Sequence, residues 1–306
     1  MSAAETHHVP DAPDTALPAG ACDCHVHVIG TPEAYPMVAQ RHYTPGPASL
    51  DALRRHLSGL GLQRAVIVQP SVYGTDNRCT LDSLDRLDGA ARGVVVPPED
   101  VAPDALRRMH ARGARGVRIN LESSGRQDAA ALDDLLARWS ARIADLGWHL
   151  QLYAAAGVVR VLADRLATLP VKVVLDHFAL VDGDPRDGGA ATVADLLRTG
   201  RVLVKLSAPY RLAAPGSAGA WARAFVEAAP ASLLWGSDWP HTARQPEAGR
   251  WGVSAYRAIA PGELLDTLHA WLPTPALRRL VLVDTPAALY GFPPADATRG
   301  RPRVDP

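Results

Sequence analysis

The chain has 306 residues, 47% of them hydrophobic, which is enough for one large core. Its 32 basic and 32 acidic residues cancel, so charge gives no reason to expect a nucleic-acid or anionic-membrane partner. Three cysteines, Cys22, Cys24 and Cys79, argue against a disulfide framework and suit a reducing, cytoplasmic setting.

Residues 1–20 are rich in Pro, Ala and Asp and lack a basic start or an apolar centre, so they read as a loose leader and not as a signal peptide. Eight β-branched runs follow: 21–29, 64–71, 92–98, 116–121, 148–154, 171–179, 202–208 and 233–240. Helical spacing separates several of them. "SLDALRRHLSGLG" (49–61) repeats Leu every three or four residues, "APDALRRMHARG" (102–113) opens on Pro-Asp and closes on Gly113, and 128–147 continues the pattern over several turns. Residues 274–292 read as a closing helix, and 293–306 as a Pro-rich tail that frays. Eight βα repeats are the count of a single (β/α)8 TIM-like barrel, regular or distorted, over residues 21–292. The rival, a doubly wound open sheet, lacks its Gly-rich phosphate loop.

In such a barrel, chemistry gathers where the strands end. "CDCHVHV" puts His25 and His27 on one face of the first strand, because side chains alternate with period two. The second run leads into "QPSVYGTDN", with Ser71 and Tyr73. The fourth carries Arg118 and Asn120, and the fifth Gln151 and Tyr153. His177 ends the sixth. Asp176 has the opposite parity and receives a structural reading. The seventh carries Lys205 and leads to Tyr210 and Arg211, and the eighth ends in Asp238 and, past a Pro, His241. Each residue alone has a plain alternative. Asp238 could cap a helix, the histidine pair could be structural, and Arg211 could be a surface arginine. The remaining histidines are assigned no chemistry.

Taken together, "CDCHVHV", "QPSVYGTDN", "GVRINL", "LDHFA", "VKLSAPYR", "GSDWPH" and "DTPAALYGF" span residues 20 to 292. The set resembles the amidohydrolase superfamily, at finer grain the amidohydrolase-2 branch with 2-pyrone-4,6-dicarboxylate lactonase and related lactone hydrolases. The resemblance implies a metal-independent, cytoplasmic hydrolase of aromatic degradation, with no cofactor, that opens a carboxylated lactone. Asp238 would be general base, and His25, His27 and His177 would polarise the carbonyl. Arg118, Ser71, Tyr153 and Arg211 match positions that bind the substrate's carboxylates. Tyr73, Lys205, His241 and Arg126 are further candidates for substrate contact. Were a metal such as zinc present, His25, His27, His177 and Asp238 would hold it. The bridging ligand of a two-metal site is missing from the fourth and fifth runs. The alternatives are a single-metal decarboxylase or hydratase, a sugar-lactone hydrolase or isomerase, and a non-enzymatic binding barrel. The expected partner is a small anionic lactone, with no nucleic acid or membrane, and the chain acts as a monomer or homodimer.

Overall fold

The structure is a computed structural model that describes residues 16–121, 129–185, 191–243, 245, 247 and 249–294. Arg126, residues 1–15 of the expected leader and 295–306 of the expected tail lie outside the described residues. Each expected run overlaps a strand, two of which begin one or two residues earlier than expected: β1 (Cys22–Val26), β2 (Arg64–Val68), β3 (Ala91–Val95), β4 (Ala114–Asn120), β5 (His149–Tyr153), β6 (Val173–Leu175), β7 (Val202–Ser207) and β8 (Leu233–Gly236). They pair in parallel, each with the next. The ring closes just beyond β8, where Val26 bridges Trp239. There His27 N donates to the Trp239 carbonyl (2.9 Å) and Asp238 N to the His25 carbonyl (3.0 Å). The result is a nearly closed (β/α)8 barrel.

The helices follow their sequence signals. In α1 (Leu50–Leu60), Ser49 Oγ accepts from Ala52 N and Gly61 ends the helix at φ 72°, a conformation that costs glycine little. Leu50, Leu53, Leu57 and Leu60 form its buried stripe. The closing helix differs from expectation. Helical turns at Pro275–Arg279 and Thr285–Tyr290 flank a π-helical turn at Leu280–Asp284. Pro286 explains the widening, since it has no N–H to donate and its ring would crowd the carbonyl four residues back. Beyond it, Tyr290 and Phe292 plug the barrel bottom against Cys22, Cys24 and Val66. The Arg64 and Arg92 guanidinium groups lie 5.1 and 4.6 Å from the Phe292 ring, and Arg64 Nη2 donates to Pro293 O. Pro293, expected in a fraying tail, is therefore tied to the barrel. Among the described residues no helix is long and apolar enough to cross a membrane.

Closure depends on close backbone approach. A Cβ on Gly236 would sit 2.7 Å from His25 Cβ and 2.8 Å from His25 N. Gly236→Ala should therefore destabilise by about 1–3 kcal/mol, the usual range for overpacking. The check is a lower urea midpoint at unchanged m; an unchanged midpoint would show that β1 and β8 can part without cost.

Candidate active site

The first strand solves a crowding problem. Cys22 and Cys24 face the apolar barrel interior, yet His25 and His27 also point inward. Strict alternation forbids both. The β1–β2 register shifts between Asp23 and Val26, and that irregularity resets the alternation. The cysteines thus fill the lower barrel and the histidines its mouth.

Asp238 is buried at the centre of the mouth and holds φ 61°, a left-handed value costly for a non-glycine residue. Its two oxygens have separate tasks. Oδ2 accepts from Tyr210 Oη (2.8 Å), Arg211 Nε (2.9 Å) and Arg211 Nη2 (2.6 Å). Oδ1 accepts no hydrogen bond and faces three imidazole nitrogens: His25 Nε2 at 3.6 Å, His27 Nε2 at 3.7 Å and His177 Nε2 at 3.8 Å. Burial alone would raise the Asp238 pKa, but Arg211 and then the imidazoles outweigh it and hold the carboxyl well below its ordinary value. Burial also lowers His25 to about 4, against the pull of Asp176, and it pushes His177 well below the ordinary imidazole value.

The outer nitrogens set the tautomers. His27 Nδ1 lies 2.8 Å from the Val68 carbonyl, which can only accept. A neutral His27 therefore carries its proton there and turns a lone pair toward Asp238. His177 Nδ1 lies 2.9 Å from Ser207 Oγ, a hydroxyl that can donate or accept, so this contact allows Nε2–H toward the mouth without enforcing it.

One layer deeper, Lys205 is fully buried. Its Nζ donates to Gln151 Oε1 (2.7 Å) and lies 3.3 Å from both His25 Nδ1 and Asp176 Oδ1. Two sequence expectations change here. Lys205 does not line the cavity, because β7 ends two residues later and the ammonium is drawn down to Asp176. Asp176, given a structural reading because its parity is opposite to that of His177, faces inward: it continues the alternation of Val174, which packs in the barrel interior, and it is His177 that breaks the alternation, turning to φ 52° just past β6.

The cavity above encloses about 390 Å³. Of the expected residues, His27, His177, Asp238, Ser71, Arg118, Tyr153 and Arg211 line it; His25 is fully buried and does not, reaching the mouth only through Nε2, 3.6 Å from Asp238 Oδ1. Arg118 donates from Nη1 to Gln69 O (3.0 Å), its Nε has no hydrogen-bond partner, and it makes no ion pair among the described residues. Arg211, expected to hold substrate, commits Nε and Nη2 to Asp238. Tyr73 does not line the cavity. It shares a 3₁₀ turn with Ser71, so the two side chains diverge, and its hydroxyl accepts from Gly30 N (3.1 Å). His241 also lies outside the lining: a turn at φ 65° sets its ring 6.0 Å from that of His56, on α1. Tyr43, His42 and Gln245 line the cavity without having been singled out. They sit on loops with no periodicity, brought to the mouth by the pairing of Val253–Ser254 with Thr44–Pro45.

The donor set fits one divalent ion, not two. His25, His27 and Asp238 bring ligand atoms within 4.8 Å of one another, and His25, Asp176 and His177 form a second such group. The unpartnered His25 Nε2 and Asp238 Oδ1 are the atoms an ion would take. The inward positions on β4 and β5 hold Arg118 and Gln151, neither of which can bridge a pair of cations.

A family model described as amidohydrolase matches residues 22–292. The chain is 33% identical over 285 residues to 4-sulfomuconolactone hydrolase of Hydrogenophaga intermedia, covering 90% of both proteins. It is 34% identical over 299 residues to 2-pyrone-4,6-dicarboxylate hydrolase of Comamonas testosteroni, covering 92% of this chain and 93% of that protein. A crystal structure from Pseudomonas putida, named for 2-pyrone-4,6-dicarboxylic acid hydrolase, superposes with a TM-score of 0.74 at 33% identity, over 90% of this chain and 99% of that one. The matched span runs from the histidine strand to the aromatic plug and takes in Asp238, and this chain belongs to the amidohydrolase family.

Proposed function

We propose that this protein hydrolyses an anionic lactone and does so without a metal ion. The observation that carries the reading is Arg118, a buried guanidinium in the cavity wall that donates to a backbone carbonyl and has no carboxylate partner among the described residues. Such a charge is costly unless a ligand pairs with it. A carboxylate or sulfonate on the substrate would meet it, with Ser71, Tyr43 and Tyr153 nearby on the same wall. The relatives named above act on lactones that bear such groups.

Asp238 Oδ1 takes a proton from water, which attacks the ring carbonyl, and later returns it to the leaving ring oxygen. His27 cannot donate from Nε2 while neutral, so it accepts the second hydrogen of the water and orients it. His177 and His25 supply the donors for the oxyanion. Arg211 keeps the base ionised and tethered, at the cost of basicity.

Were a divalent ion bound, it would polarise the carbonyl in place of these donors, held by His25, His27 and Asp238. Charge supports the metal-free reading. Asp238 is already matched by Arg211 and Asp176 by Lys205, so a dication would enter a cluster with no spare negative charge.

Three outcomes test this. Wild type should prefer a carboxylated lactone to its methyl ester, and Arg118→Met should erase about 10- to 100-fold of that preference, the worth of a charged hydrogen bond. A ratio near one in wild type would reject the anionic substrate. Dialysis against a chelator should leave turnover intact, with no stoichiometric metal by elemental analysis; activity lost and restored by zinc would reverse the assignment. Arg211→Met should move the acid limb of kcat/KM to higher pH. The native carboxyl is depressed, so the ionised base survives as pH falls, and without Arg211 it protonates earlier. An unmoved limb would show that a group other than Asp238 is the base.

A further inference from the structure

We infer that Lys205 fixes the tautomer of His25, holding the ring proton on Nε2, so that this imidazole is a hydrogen-bond donor to the substrate and a poor metal ligand. The inference rests on the lactone reading only for the identity of the group that receives the donor.

His25 Nδ1 has two neighbours at the same distance, Asp176 Oδ1 and Lys205 Nζ, each at 3.3 Å. They demand opposite tautomers. An ionised carboxylate only accepts, so it requires a proton on Nδ1. An ammonium only donates, so it requires a bare Nδ1. Direction decides between them. The Lys205 contact has hydrogen-bond geometry, whereas Asp176 Oδ1 receives no hydrogen bond.

The surrounding amide agrees. Gln151 presents Oε1 to Lys205 and donates from Nε2 to Asp176 Oδ2 at 3.1 Å. Turned over, it would point an NH₂ at an ammonium. Lys205 and Asp176 are thus held in place from behind, and none of His25, Gln151, Asp176 or Lys205 is more than 1% exposed.

The consequence appears at the other ring nitrogen. His25 Nε2 has no hydrogen-bond partner and lies 3.6 Å from Asp238 Oδ1. With a proton on Nε2, an N–H faces the carboxylate and is available to a developing oxyanion. A metal would need a lone pair there. To offer one, the ring must move its proton to Nδ1, where it would turn to Asp176 Oδ1 while the Lys205 ammonium lost its acceptor and faced an N–H 3.3 Å away in a dry interior. His27 is the contrast, because the Val68 carbonyl enforces the other tautomer. The two histidines of one strand therefore take different roles: His25 donates, His27 accepts. Lys205 touches no part of the cavity and acts as a positioning residue through His25.

The first test uses metal-free wild-type enzyme with labelled imidazole nitrogens. Long-range proton–nitrogen correlation identifies the protonated nitrogen of His25. A proton on Nε2 is expected; a proton on Nδ1 overturns the inference. The second uses Lys205→Met, which keeps the stem and removes the charge. His25 Nδ1–H should then turn to Asp176 and free the Nε2 lone pair. Cobalt(II) affinity, followed by visible absorption and zinc competition, should tighten at least about tenfold, the usual size of an outer-ligand effect. Affinity equal to wild type overturns the inference. If this variant does not fold, the wild-type spectrum alone decides. On a lactone that wild type turns over, Lys205→Met should lower kcat about 10²-fold, as for loss of one oxyanion donor, with KM unchanged. A rise in KM alone would make Lys205 a binding residue and overturn its positioning role. The spectrum and the cobalt titration need no substrate, so failure to find a lactone would reject the proposed reaction while leaving this inference to stand or fall by itself.

Discussion

An ionised carboxylate taken out of water costs several kcal/mol unless a cation and hydrogen bonds replace the solvent. The barrel mouth buries two, Asp238 and Asp176, and most of its architecture follows from keeping both charged. Asp238 receives Arg211 and Tyr210 on one oxygen, and Asp176 receives Lys205 and Gln151. The cations come from β7 and the loop after it, so one βα unit satisfies both acids. Asp238 is thereby held with one oxygen bound and the other bare, which suits a base that must act repeatedly from the same position.

That arrangement requires a tight seam. β1 carries the paired histidines and β8 leads into Asp238, and the two meet where the ring closes. Gly236 lets the backbones approach, and the bulge in β1 turns His25 inward directly after Cys24. Asp238 and His177 both hold left-handed backbone angles. Such conformations cost about 1–3 kcal/mol each, and they persist here because packing and the ion pairs over-determine them.

The three imidazoles are not equivalent. A carbonyl, a hydroxyl and an ammonium stand behind His27, His177 and His25 respectively: the carbonyl calls for a proton on Nδ1, the ammonium for one on Nε2, and the hydroxyl accommodates either. On the tautomers inferred above, a cluster that resembles a metal site in composition divides into donors and an acceptor. Arg118 adds the charge that the cluster lacks, on the wall where a substrate anion would lie.

The sequence alone determined the eight βα repeats, because period-two runs and capped amphipathic helices are local patterns. It also determined the strand-end positions of His25, His27, His177 and Asp238, since a barrel converts sequence order into one shared mouth. Tertiary structure decided the rest. Lys205 read as a substrate contact, but its depth depends on where β7 ends and on Asp176 across the barrel. Asp176 read as structural because His177 was taken to mark the inward parity, whereas Val174 marks it and His177 leaves the alternation at a left-handed turn. Arg211 read as a substrate arginine, and it also holds Asp238, 27 residues away in the chain. Tyr43 gave no signal, since an aperiodic loop shows its direction only once it is anchored. Residue types and their period are written locally, whereas which charge meets which is set by contacts between distant segments, and those exist only in the closed barrel.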